Sequence, residues 1–159
     1  MKKFKHMHKL SKEVIQFFLN QGCVIVNTID GSGYPHSACK GIVELKEDGQ
    51  VYLLDLYHGT TYNNLKENRR ISITAVDEHK FRGYCLKGTV KLTSQDEIDA
   101  KLIEAWEARI TSRLTQRVLK NIGGYKGHAR HPEALLPKPK YLIAIQVEEI
   151  VDLTPAHIV

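Results

Sequence analysis

The stretch Leu54–Arg70, LDLYHGTTYNNLKENRR, concentrates side chains suited to holding an anion. Thr60 and Thr61 each carry a hydroxyl donor, Tyr57 adds a phenol and His58 an imidazole. The residues after Gly59 read as a helix of about two turns over Thr61–Asn68. The first amides of such a helix point outward along its axis, and its field favours negative charge there. A phosphate ester suits that geometry. Lys40 and Arg82 are the candidate counter-charges. The plainer alternative makes Thr60 a helix cap, Thr61 a solvated side chain and the loop a barrel crossover.

Other reactive residue types form no recognisable constellation. There are 8 histidines, but His6 and His8 sit in a basic tail, and His128 and His131 are closely spaced without a clear acidic or cysteine partner to complete a ligand set. Cys23, Cys39 and Cys85 form no CxxC pair and read as buried free thiols in a reducing compartment. No GxGxxG, P-loop or nucleophile-elbow spacing occurs. Arg109, Arg113, Arg117 and Lys120 recur every three or four residues and so share one side of a helix. Lys126, His128, Arg130, Lys138 and Lys140 extend that charge. A solvated face, a flap over an anionic substrate and a nucleic-acid surface all fit this series. The last is disfavoured because too few aromatics are interspersed for base stacking.

The elements that must position these residues follow from periodicity. LSKEVIQFFLNQG is a helix capped by Ser11 and ended by Gly22, with a stripe of Leu10, Val14, Phe17 and Phe18. CVIVNTI, SACKGIVELK, VYLLDL, ISITAV, RGYCLKGTVKLT and YLIAIQVEEIVDL read as six strands. DGSG and EDGQ are turns, and Gly88 marks a bulge or bend. Ser94 and Glu97 have capping-box spacing ahead of one long bent helix, or two helices joined near Ile110. Ile98, Leu102, Ala105 and Trp106 share its apolar face. Residues 124–140 form a proline-rich linker. Six strands on short connections predict a small closed or partly open barrel, with a sandwich as the alternative.

Composition agrees with one globular domain over residues 1–159, with residues 1–9 as a flexible basic tail. Hydrophobic residues make up 42% and charged residues 26%, the net charge is +5 and the pI about 9.1. That charge favours anionic partners. No run has the length of a membrane span and the basic start lacks a signal-peptide core, so the expected location is the cytoplasm.

The order of these segments adds a resemblance. A helix leads into VIVNTIDGSGYPHSACKGIVEL, then DGQVYLLDLYHGTTYNNLKENRRISITAV, then FRGYCLKGTVKL. This resembles the pyridoxamine 5'-phosphate oxidase-like family of FMN-binding split barrels. The resemblance implies a mainly β, six-stranded antiparallel split β-barrel with peripheral helices, a homodimer, and FMN at the dimer interface. It places Lys40, Thr60, Thr61, Asn64 and Arg82 around the cofactor, with Asn68 at the end of the short helix. It sets His36 and Ser37 beside the flavin ring, and Tyr57 within reach of flavin or substrate. Gly59-Thr60-Thr61 stands where the oxidases usually carry Ser-Arg-Lys, which removes two charge-assisted phosphate contacts. The implied function is FMN-dependent oxidoreduction of a small molecule, related to pyridoxamine phosphate oxidation but distinct from it. A flavin carrier or electron-transfer protein is the alternative, and a non-catalytic binding protein using the basic helix 109–120 is another. The wider fold also accommodates haem or a deazaflavin. No residue is assigned as an acid, base or nucleophile, because flavin itself supplies the redox chemistry.

Overall fold

A computed structural model describes residues 8–125, 127 and 138–157. The expected roles of His6, Lys126, His128, Arg130 and His131 lie outside the described residues. Helix α1 spans Lys12–Leu19 and is capped by Ser11, whose Oγ accepts from the Val14 amide at 3.2 Å. Its stripe packs inward: Leu10, Val14 and Phe18 are buried, and the Phe17 ring meets Tyr84 edge-on at 5.1 Å. The helix stops at Asn20 rather than at Gly22.

The strands that follow are β1 (Val24–Ile29), β2 (Pro35–Lys40), β3 (Ile42–Leu45) and β4 (Gln50–Asp55). Helix α2 (Thr60–Glu67) leads to β5 (Arg70–Asp77) and β6 (Arg82–Ser94). Helix α3 (Ala100–Ile122) and β7 (Tyr141–Asp152) complete the described order. The strands form one antiparallel sheet in the order β2-β1-β5-β6-β7-β4-β3.

The sheet therefore has 7 strands, not six. SACKGIVELK, expected as one strand, divides at Gly41. The reason lies in the pairing: β2 pairs with β1 at one edge of the sheet, whereas β3 pairs with β4 at the other. One straight strand cannot serve both edges. Because a single residue separates β2 from β3, the sheet curls until its edges meet there. No β2–β3 ladder joins them, so the barrel is split at that seam.

The interior is filled by alternate residues of the strands, including Val26, Leu53, Ile73, Leu86, Ile143 and Val147, all at 0% exposure. A smaller cluster lies outside the sheet. There Ile98, Leu102, Ala105 and Trp106 pack on Val43, Leu54 and Leu142. The expected apolar face of α3 thus docks its first half onto β3, β4 and β7. The helix is continuous through Ile110 and starts later than the Ser94 spacing implied. A 3-10 turn fills Gln95–Glu97, and Asp99 caps α3 by accepting from the Lys101 amide at 2.8 Å. Gly88 sits at a register shift between β6 and β7, as expected. A Cβ there would lie 2.0 Å from the Gln146 carbonyl oxygen.

The cysteines differ from expectation. Cys23 and Cys39 are exposed and Cys85 is half-buried. β1 alternates, with Val24, Val26 and Thr28 turned inward, so its odd-numbered residues face out. A run of apolar letters had concealed a strand with one outer face. Among the described residues no helix is long and apolar enough to cross a membrane, and no cluster of His, Cys, Asp or Glu could hold a metal ion.

Candidate functional site

Asp55, the last residue of β4, is buried and would be costly there without partners. Its Oδ1 accepts from the Leu56 amide at 2.8 Å. Its Oδ2 accepts from the Tyr141 hydroxyl at 2.6 Å and forms an ion pair with Lys40 Nζ. These contacts tie the end of β4 to the start of β7 and the end of β2. Tyr141 is held far above the ordinary tyrosine pKa, first by burial and then by its bond to the carboxylate. Lys40 thus reaches the candidate site already paired.

The chain then turns through Leu56–Gly59 into α2. The His58 ring stacks at 4.3 Å on Tyr62 and 5.4 Å on Tyr141, so it is a packing group as well as an exposed one. Gly59 occupies the N-cap position and makes no side-chain cap bond. Thr60 is therefore the first helical residue rather than the cap. Its side chain is exposed, while Thr61 is 4% exposed and faces the core. Asn64 is also buried and donates from Nδ2 to the buried Thr28 Oγ1 at 3.0 Å. That bond pins the middle of α2 to β1. Asn68 ends the helix, and its side chain accepts from the Arg70 amide at 3.1 Å.

A groove of about 860 Å³ runs beside this region, within the size range of small-molecule sites. The stretch of α3 from Trp106 to Lys120 forms one wall. The outer face of β1, β2 and β5 and the end of β4 form the other, with Ile25, Leu56, Tyr57 and Trp106 supplying apolar surface. Its charged lining residues, among those described, are Lys40, Arg113, Arg117 and Lys120 against one carboxylate, Asp55. Arg113 lies close over Gly41, where an added Cβ would meet its Nη1 at 2.6 Å. The seam of the barrel thus seats this guanidinium.

Of the cofactor-binding residues expected from the sequence, the groove gathers Lys40 and Tyr57, and it also gathers Arg113, Arg117 and Lys120 of the basic series. Thr60, Thr61 and Asn64 lie on α2, just beyond the loop that carries Tyr57. Ser37 belongs to a cross-strand network on the outer face. It donates to Asn27 Oδ1 at 2.8 Å, and Asn27 Nδ2 donates to Ser72 Oγ at 3.2 Å. His36 is Thr28's partner across the β1–β2 ladder. Arg82 lies far from α2's first turn within the chain. It starts β6 opposite Asp77, whereas Ser94 at the other end of β6 faces Tyr141. It pairs there with Glu13 at 2.6 Å and bonds the Tyr84 hydroxyl at 3.2 Å. Glu13, more than any other neighbour, raises its pKa.

Sequence reading passed over Asp55, Tyr141 and Thr28, and it left the basic face of α3 open between a solvated face, a flap over an anionic substrate and a nucleic-acid surface. Asp55 had a signal: a carboxylate inside the apolar run LLDL needs a partner if that run is buried. Tyr141 had none, because 86 residues separate it from Asp55.

The curled antiparallel sheet with its flanking helices is a split barrel, and the chain belongs to the pyridoxamine 5'-phosphate oxidase family, whose model matches residues 10–152. Solved structures share the fold. HupZ of Group A Streptococcus is 23% identical with a TM-score of 0.60, over 91% of this chain and 95% of that one. A Clostridium acetobutylicum protein related to general stress protein 26, of the pyridoxinephosphate oxidase family, is 16% identical with a TM-score of 0.55, over 92% and 95%. A pyridoxamine 5'-phosphate oxidase-related, FMN-binding protein of Nostoc punctiforme is 13% identical with a TM-score of 0.50, over 82% and 73%. No curated protein matches the sequence.

Proposed function

We infer that the protein is an FMN-dependent oxidoreductase acting on a small molecule, with the flavin in the groove beside α3. The observation that carries this reading is the groove itself. In a chain of this family, it joins flavin-sized space and apolar walls to a basic lining that includes Lys40. The residues present fit a flavin phosphate ester. The first turn of α2 has no side-chain cap, so its amides and the exposed Thr60 hydroxyl are available to an anion. Lys40 supplies positive charge from across the loop, shared with Asp55. The Asn64–Thr28 bond keeps α2 in place, and Tyr57 with Trp106 supplies surface for the ring system.

When bound, FMN supplies hydride and electron transfer; the protein's part is placement, charge and exclusion of water. A homodimer is part of the same proposal. Ile25 and Val76 on the outer sheet and Val118, Leu119 and Ile122 on α3 are exposed, and a second copy would cover apolar surface of this kind.

The test is purification followed by visible absorption and equilibrium titration. Oxidised-flavin bands, FMN bound more tightly than riboflavin, and a sedimenting species of twice 18.1 kDa are expected. Reduction by a nicotinamide cofactor followed by substrate turnover separates an oxidoreductase from a flavin carrier. Protein that binds neither flavin would end the reading.

A further inference from the structure

Helix α3 has a second face, turned away from the groove. Trp106, Ile110, Arg113, Arg117 and Lys120 line the groove and share one side of the helix. On the opposite side stand Ala108, Thr111, Thr115, Val118 and Ile122, spaced alternately by three and four residues. All five are exposed, Val118 by 57% and Ile122 by 79%, and Leu119 beside them by 63%. This is the seam spacing of paired helices, kept over about 22 Å of helix. The two threonines do not make it a polar stripe. Thr111 donates its hydroxyl to the Glu107 carbonyl at 2.9 Å, and Thr115 donates to the Thr111 carbonyl at 3.0 Å. Both hydroxyls are thus engaged one turn back on the same helix, which leaves the methyl groups to pack.

The stripe also changes size along its length. Ala108, Thr111 and Thr115 in its first half are small, and Val118, Leu119 and Ile122 in its second half are bulkier. In an antiparallel pair, with a twofold axis between Gln116 and Arg117, Thr111 meets Ile122 and Thr115 meets Val118. Each layer then joins a smaller side chain to a larger one, and the seam is evenly filled. A parallel pair would set Ala108 on Ala108 and Ile122 on Ile122, open at one end and crowded at the other. The gradient therefore fits the same stripe running in reverse. The side chains of this face offer on the order of 500 Å² per copy, so about 1,000 Å² across a pair, the lower bound of a specific interface.

We propose that the outward face of α3, from Ala108 to Ile122, is the contact of the homodimer, and that it takes the same face of a second copy running antiparallel. The inference rests on the preceding reading only in taking the protein as a homodimer, and it does not depend on flavin. Of the exposed apolar surfaces, this one carries a repeat that specifies its occupant. The second copy braces the helix that walls the groove and leaves the groove-lining side of that helix free.

Sedimentation of the full chain and of the double variant Val118→Glu with Ile122→Glu tests the contact. The parent should be a dimer at micromolar concentration. The variant should sediment at 18.1 kDa, its dimer dissociation constant raised at least about a hundredfold. Both positions are exposed, so the variant should keep the parent's circular dichroism. A second measurement uses copies that carry one cysteine each, with Cys23, Cys39 and Cys85 replaced by serine. Mixed Thr115→Cys and Val118→Cys copies should form a disulfide-linked heterodimer on oxidation. Ala108→Cys copies should form none, because the reversed helix carries the second Ala108 to the far end of the seam.

A double variant that remains dimeric would overturn the proposal and leave the homodimer to another surface. Efficient linkage through Ala108→Cys would overturn it in favour of a parallel pair. A parent that stays monomeric would remove the homodimer and this contact together. Flavin absorption read on the same samples decides the oxidoreductase reading separately: a dimer broken by the seam variant in protein without flavin bands would sustain the contact and remove only that reading.

Discussion

Tyr141 at the start of β7 donates its hydroxyl to Asp55 at the end of β4, across 2.6 Å, and the same carboxylate oxygen holds Lys40 at the end of β2. One buried carboxylate thus fixes three strand ends beside the groove. Removing it should cost more than removing either donor's share. Asp55→Asn leaves the Lys40 ammonium largely buried without its counter-charge, an expected loss of roughly 3–5 kcal/mol. Tyr141→Phe removes one charged hydrogen bond and should cost roughly 1.5–3 kcal/mol. Urea denaturation checks the order. Tyr141 also sets a pH dependence. Its folded-state pKa is raised, so its contribution is complete below the ordinary tyrosine value of about 10. Above that pH the unfolded chain releases a proton that the folded chain retains. Stability should then fall with rising pH, by up to about 1.4 kcal/mol per unit from this group. Tyr141→Phe should fall less steeply over the same alkaline range. Parallel curves for the two proteins would show that this tyrosine is not the group responsible.

Two glycines should respond unequally to the same substitution. At Gly88 a Cβ would strike the Gln146 carbonyl oxygen at 2.0 Å, and this backbone atom belongs to a paired strand. Gly88→Ala should cost at least about 2 kcal/mol. At Gly41 the obstruction is the end of the Arg113 side chain, which can swing away. Gly41→Ala should change stability by less than about 1 kcal/mol. Thermal melts of both variants decide the matter. A Gly88→Ala protein as stable as the parent would contradict the bulge geometry.

The two threonines that begin α2 should also separate. Thr60 is exposed at the first helical position, and Thr61 is turned into the core. Thr60→Val should lower FMN affinity about tenfold and leave riboflavin affinity nearly unchanged, since riboflavin lacks the phosphate. Thr61→Val should affect the two ligands equally, acting through the packing of α2. Titration of both flavins into folded apo protein reads the difference. An FMN-specific loss at Thr61 would return it to the phosphate ligands, where the sequence had set both threonines.

Local chemistry was legible in the sequence. Ser11 capping α1, the bend at Gly88 and the face formed by Ile98, Leu102, Ala105 and Trp106 all depend on contacts a few residues apart or on one residue's backbone freedom. The segment order also sufficed for the family. Pairing between distant strands was decided only by the tertiary structure. SACKGIVELK contains nothing to say that its halves belong to opposite edges of one sheet; that follows from β1 and β4 each claiming a partner. The outward-facing cysteines likewise became visible only once β1 and β2 had an inside and an outside. For the site the division is the same. Threonines, lysine and the arginine series could be named as anion-binding types, because charge and hydroxyl chemistry belong to the residue. Lys40 meeting Asp55, Thr61 turning inward and the α3 cations turning toward a groove depend on long-range packing, which residue spacing along the chain does not encode.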